Sequence, residues 1–118
     1  MYNRKETVND ILLQLGFSPV LKGFRSIPEA VDILMENPGI SMIDLYKEVG
    51  EKSDENPKCV ERAIRYAIET AMQEFDMHMY RRIMGQFPPS GKAKPTNGRF
   101  LILLTLKIKK MEERNEKD

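Results

Sequence analysis

The sequence predicts an all-α domain of about six helices that contains a helix-turn-helix, and three observations carry that expectation. Ser, Asp and Asn stand just before several apolar-periodic segments, where a side-chain oxygen can accept from the unpaired amides of a first helical turn. Apolar residues then recur at spacings of three and four, the period of a helix buried on one side. Only one segment alternates as a strand would, and with no second strand to pair with it could not satisfy its backbone. At 118 residues, with 41% hydrophobic and 31% charged side chains, the chain fits one soluble globular domain over 1–118.

Taken in order, Val8, Ile11, Leu12 and Leu15 predict a short helix stopped by Gly16, with Gly23 in the following connection. Ser26-Ile-Pro-Glu29 has the spacing of a capping box with Pro inside the first turn; Ala30, Ile33 and Leu34 continue that helix to Asn37-Pro38-Gly39. Ser41 and Asp44 open a third, carrying Ile43, Tyr46 and Val49, with Gly50 near its end. Asn56-Pro57 caps the longest well-patterned segment, about Pro57 to Phe75, whose stripe is Val60, Ile64, Ala67, Ile68, Ala71, Met72 and Phe75; this is the expected central helix. Asp76 caps a further short helix through Ile83 and Met84, ended by Gly85, and the Pro- and Gly-rich stretch from Phe87 to Asn97 is a loop. Leu104-Thr-Leu-Lys-Ile-Lys109 alternates like a strand, yet Phe100, Leu103, Leu104, Lys107, Ile108 and Met111 also fit a helix. Periodicity slightly favours the strand; the missing partner selects the helix. The tail from Met111 to Asp118 mixes both signs of charge and reads as a solvated, fraying helix end.

Several functions are disfavoured early. No apolar run approaches the roughly 18 residues that span a bilayer, and the first residues have no signal-peptide core, so a cytoplasmic protein is expected. A single cysteine, Cys59, and a single histidine, His78, allow neither an internal disulfide nor a Cys/His zinc set. There is no Gly-rich phosphate loop and no nucleophile elbow, so neither an enzyme nor a cofactor is expected; Cys59 reads as a small residue at a helix flank and His78 as a surface or capping residue. Met72, Met77, Met79 and Met84 read mainly as core.

Net charge is only +1, but its distribution is uneven. Residues 1–56 carry six basic and ten acidic side chains, whereas 77–99 carry five basic and no acidic ones: Arg81, Arg82, Lys92, Lys94 and Arg99. A polyanion would therefore meet a local patch. At about 100° per residue, Lys58, Glu61, Arg62, Arg65 and Glu69 share one face of the helix starting at Pro57, opposite its apolar stripe. The preceding short helix, the polar turn Ser53-Asp-Glu-Asn56 and this helix form a helix-turn-helix, whose second helix can enter a DNA major groove by its N-terminal half. Arginine offers a fork matching guanine O6 and N7, and glutamate can accept from cytosine N4. The same residues also have the i,i+4 spacing of ordinary surface ion pairs, worth about 0.2–0.5 kcal/mol each.

Val60-Glu-Arg-Ala-Ile-Arg-Tyr-Ala-Ile-Glu69 resembles the recognition helix of the C-terminal DNA-binding effector domain of the sporulation stage-zero master response regulator, the sporulation initiation factor. Leu21-Lys-Gly-Phe24, Pro28-Glu-Ala30, Asp44-Leu-Tyr46 and Lys92-Ala-Lys-Pro-Thr-Asn97 followed by Phe100 resemble its other characteristic stretches in the same order, so the likeness covers about residues 9–112. It implies a six-helix transcription factor domain, without the receiver domain, that binds short tandem DNA boxes, with a possible dimer on them. It also implies base contacts from Glu61, Arg62 and Arg65 and a backbone-approaching loop at Lys94, Thr96 and Asn97. Lys58, Tyr66 and Lys92 complete the expected DNA-binding set, and the region after the reading helix is where the family contacts the RNA polymerase sigma subunit.

Three departures accompany the resemblance. The helix entrance reads Glu55-Asn-Pro-Lys-Cys59 where the family usually has Thr-Thr, any residue, then Ser-Arg; Lys58 keeps positive charge on the reading face, while Cys59 falls about 100° away from it. Tyr66 replaces a histidine. The chain starts close to where the effector domain would, so nothing in it supports regulation by a phosphorylated receiver domain. The alternative expectation is a protein-interaction module of the same fold that modulates a regulator or polymerase without binding DNA, a reading favoured by Glu55 and the weak net charge.

Overall fold

The computed structural model describes residues 1–74, 76–86 and 94–117, so the expectations for Phe75, Phe87 and Lys92 lie outside the described residues. Six helices follow in order: α1 (Arg4–Gln14), α2 (Lys22–Glu36), α3 (Met42–Ser53), α4 (Pro57–Glu74), α5 (Met77–Met84) and α6 (Asn97–Lys117). The fold is all-α, and among the described residues there is no strand. The alternating stretch 104–109 lies inside α6, where Phe100, Leu101, Leu104 and Ile108 are fully buried and Leu106 is half exposed. Burial therefore follows the helical period.

The predicted caps hold at α3 and α5. The Ser41 side chain accepts from the Asp44 amide at 3.1 Å, and Asp76 Oδ1 accepts from the His78 and Met79 amides at 2.8 and 3.2 Å. Gly16 and Gly85 end α1 and α5 with φ of +91° and +82°, a conformation open to glycine without a Cβ penalty.

The expected capping box at Ser26 is not formed. Helix α2 begins more than a turn earlier, with Leu21 at the N-cap and no side-chain cap, and the Ser26 hydroxyl donates back to the Lys22 carbonyl at 3.4 Å. The reason is burial: Gly23, Phe24, Ile27, Pro28, Val31 and Leu34 continue one apolar stripe through the predicted boundary. Pro28 sits inside the helix and removes a donor, a loss of about 3 kcal/mol in an isolated helix that this burial offsets. Gly23 is accordingly helical rather than in a connection. A Cβ there would lie 2.3 Å from the Ala63 carbonyl oxygen and 2.8 Å from Ala67 Cβ, so the α2 backbone at Gly23 packs directly on the α4 backbone and the Ala67 methyl.

The hub of the fold is α2, which packs on α1, α3, α4 and α6; α4, expected to be central, lies against α2, α3 and α6. Its predicted stripe of Val60, Ile64, Ala67, Ile68, Ala71 and Met72 is buried. On α3 the buried residues are Leu45, Val49 and Gly50, whereas Ile43, expected in the stripe, is 69% exposed. The tail is not simply solvated: Glu112 on α6 accepts from Arg4 Nε and Nη2 at 2.6 and 2.9 Å and from the Tyr2 hydroxyl at 2.8 Å.

Candidate nucleic-acid interface

The entrance to α4 is built from local chemistry. Asp54 takes the left-handed conformation (φ 55°) that ends α3, and the Glu55 amide returns to the Gly50 carbonyl at 2.8 Å. A Cβ on Gly50 would stand 2.4 Å from the Glu55 carbonyl oxygen, so the turn folds this tightly only over glycine. Asn56 caps α4 through Oδ1, which accepts from the Lys58 amide at 2.8 Å, and Pro57 occupies the first helical position, where no amide donor is needed. These contacts fix the start of the helix and the direction of its first polar side chains.

On α4, Lys58, Arg62, Arg65 and Tyr66 are exposed and Glu61 is half-buried. Arg65 Nη1 donates to Glu61 Oε1 at 2.8 Å and its Nε lies 4.0 Å from Glu69 Oε1, so the ion pairs that the spacing allows are formed in the unbound domain. Arg62 and Tyr66 are exposed, in position to meet a partner lying across the helix.

Thr96, not Asn97, caps α6: the Arg99 amide donates to Thr96 Oγ1 at 3.1 Å. The Asn97 side chain turns inward, is 9% exposed, and donates from Nδ2 to the Tyr46 hydroxyl at 3.2 Å and to the Glu61 carbonyl at 3.0 Å. The side chain of Asn97, expected in the loop that approaches the DNA backbone, is thus held inside the domain. Burial raises the Tyr46 pKa above its ordinary value, with the Asn97 hydrogen bond acting the other way, so the phenol stays protonated near neutrality. One amide thus ties the start of α6 to α3 and α4.

The consequence is a groove of about 520 Å³ between α3, α4 and the start of α6, lined among others by Tyr46, Glu61, Arg65, Glu69, Lys94 and Thr96. Among the described residues of the acid-free stretch, Lys94 is the basic side chain that lines it; Arg99 instead donates to Gln86 Oε1 at 3.2 Å. Residues about 30 apart in sequence, Arg65 and Lys94, therefore share one surface. The family described as Sporulation initiation factor Spo0A C terminal matches residues 8–108. The chain belongs to that family. At the family level it is therefore a DNA-binding effector domain of sporulation initiation, a regulator rather than an enzyme. Both walls of the groove fall inside the matched region, whereas the contact between Arg4 and Glu112 joins residues before its start and beyond its end. Among the described residues no helix is long and apolar enough to cross a membrane.

Sequence reasoning did not find the roles of Tyr46 and Asn97. Tyr46 was expected only as a stripe residue, and its phenol was the available sign, since a buried tyrosine hydroxyl normally finds a partner. For Asn97, the neighbouring Thr96 was an equally good cap, which would have left the amide for another use.

Proposed function

We propose that this domain reads a short duplex DNA box by laying the N-terminal half of α4 in the major groove. Lys58, Glu61, Arg62, Arg65 and Tyr66 meet base edges and the adjoining strand, while Lys94, Thr96 and the neighbouring Lys92 hold the phosphate backbone. Asn97 acts from behind, positioning the loop. The observation that supports this best is the shared groove: donors suited to bases and a cation suited to phosphate converge from α4 and the start of α6. Arg65 enters already oriented by Glu61, and base or phosphate acceptors compete with that carboxylate for it. Two copies on tandem boxes, and a contact from the exposed side of α5 around Met77 to the polymerase sigma subunit, belong to the same proposal.

The test is selection from a randomised duplex pool followed by anisotropy titrations at several salt concentrations. An enriched box that Arg65→Ala no longer distinguishes from random duplex supports the reading. The second reading, a protein-interaction module, is favoured by the two carboxylates around Arg65 and by the acidic excess of residues 1–56. It predicts no salt-dependent duplex binding by the folded protein, because no counterions are released.

A further inference from the structure

Beside the reading groove lies a second cleft of different chemistry, about 460 Å³, lined by Ile43, Tyr46, Asn56, Pro57, Lys58 and Glu61. Its surface is almost wholly apolar although Lys58 and Glu61 are among its lining residues. Ile43 is the second residue of α3 and is 69% exposed, while Leu45 and Val49 supply the buried contacts of that helix. Packing of the domain therefore does not call for an isoleucine at this position. The polar end of Tyr46 is engaged by Asn97, and Pro57 is held at the fixed start of α4, so the cleft has a defined shape. Tyr46 and Glu61 line both this cleft and the reading groove, so the two form one continuous surface across the start of α4.

The base edges exposed in the major groove present hydrogen-bond donors and acceptors, with one apolar exception, the C5-methyl of thymine. An apolar cleft would desolvate the other groups without replacing their hydrogen bonds, whereas a methyl loses nothing by entering. We infer that the cleft receives a thymine methyl at the end of the box nearest the start of α4, which makes Ile43 a specificity-determining residue. The inference rests on the DNA-reading proposal above. Continuity with the groove that holds Arg65 and Lys94, and the presence of Lys58 among the lining residues, favour a base as occupant over an apolar protein segment.

The test uses the box enriched from a randomised pool, with its thymines replaced one at a time by deoxyuridine, which removes only the methyl group. Each duplex is titrated by anisotropy against the wild-type chain and Ile43→Ala. One replacement is expected to weaken wild-type binding about fourfold, the effect of one buried methyl-sized group, and to leave Ile43→Ala binding unchanged. If every deoxyuridine duplex binds the wild type as tightly as its parent, or if the selected box has no thymine at that end, the inference is overturned and the cleft passes to a protein occupant. A penalty that persists unchanged in Ile43→Ala also overturns it, with DNA reading intact. Failure of the wild type to bind any duplex overturns both. The deoxyuridine series on the wild type does not depend on how the variant folds.

Discussion

At Asn97 a single amide joins three helices, donating to the Tyr46 hydroxyl on α3 and to the Glu61 carbonyl on α4 from the first residue of α6. Asn97→Ala is expected to destabilise the domain by about 1–3 kcal/mol, because buried acceptors lose their donor, and urea titration measures this directly. Asn97→Asp is expected to lose at least as much, since a carboxylate would face a carbonyl oxygen where the amide now donates. Residues proposed to touch DNA should behave otherwise: Arg62→Ala or Arg65→Ala is expected to cost about 1–3 kcal/mol at one base position, and Lys94→Ala to weaken all duplexes alike and flatten the salt slope. Equal losses on selected and random DNA for all three would remove those assignments. The polar face of α4 was legible because a helix of fixed period sorts its residues by angle. The inward turn of Asn97 was not, because Thr96 and Asn97 are equivalent as cap chemistry and only packing against Tyr46 separates them.

Between elements, α2 and α4 come close where Gly23 meets Ala63 and Ala67. Gly23→Ala must push α4 away, with an expected loss of about 1–3 kcal/mol. Gly39→Ala, whose Cβ would meet nothing within 4 Å, is expected to stay within about 0.5 kcal/mol of wild type. Thermal melts of the pair separate steric contact from the general effect of replacing glycine. Most element boundaries were legible where a cap or a stop coincided with the edge of an apolar stripe, as at Ser41, Asn56 and Asp76. They were not at Ser26, where capping spacing occurs inside a helix whose buried face runs straight through it. The middle of α6 shows the opposite case: short-range alternation over 104–109 pointed to a strand, and the absence of any pairing partner decided correctly for a helix.

Across the whole molecule, ion pairs tie the ends of the chain to the hub. Arg4 makes two bonds to Glu112 and one, at 3.2 Å, to Asp32, joining α1, α6 and α2, while Glu29 of α2 pairs with Lys5 of α1 and Lys52 of α3. Charge patterning showed the tail only as mixed in sign, since partners separated by more than a hundred positions leave no local mark. Hydrogen bonding from Arg4 holds the Glu112 carboxyl below the ordinary carboxylate range, and Lys5 does the same for Glu29, partial burial opposing in both cases. A carboxyl with a lower pKa in the folded state stabilises the fold fully above its unfolded pKa, and that contribution disappears as pH falls through the folded value. Lys5 is raised by the same Glu29 bond, so its contribution is present below its unfolded pKa and fades as pH rises through the folded one; Arg4 stays charged throughout. Stability should therefore be flat through neutrality and decline below about pH 4. Glu112→Gln is expected to remove about 1 kcal/mol at neutral pH, the upper range for a partly exposed pair, and to lose less than wild type on acidification. Urea midpoints at neutral pH and below the carboxylate range measure both effects. If the variant and wild type kept a constant difference at all pH values, the clamp would not titrate with Glu112, and the acid sensitivity would have to come from Glu29.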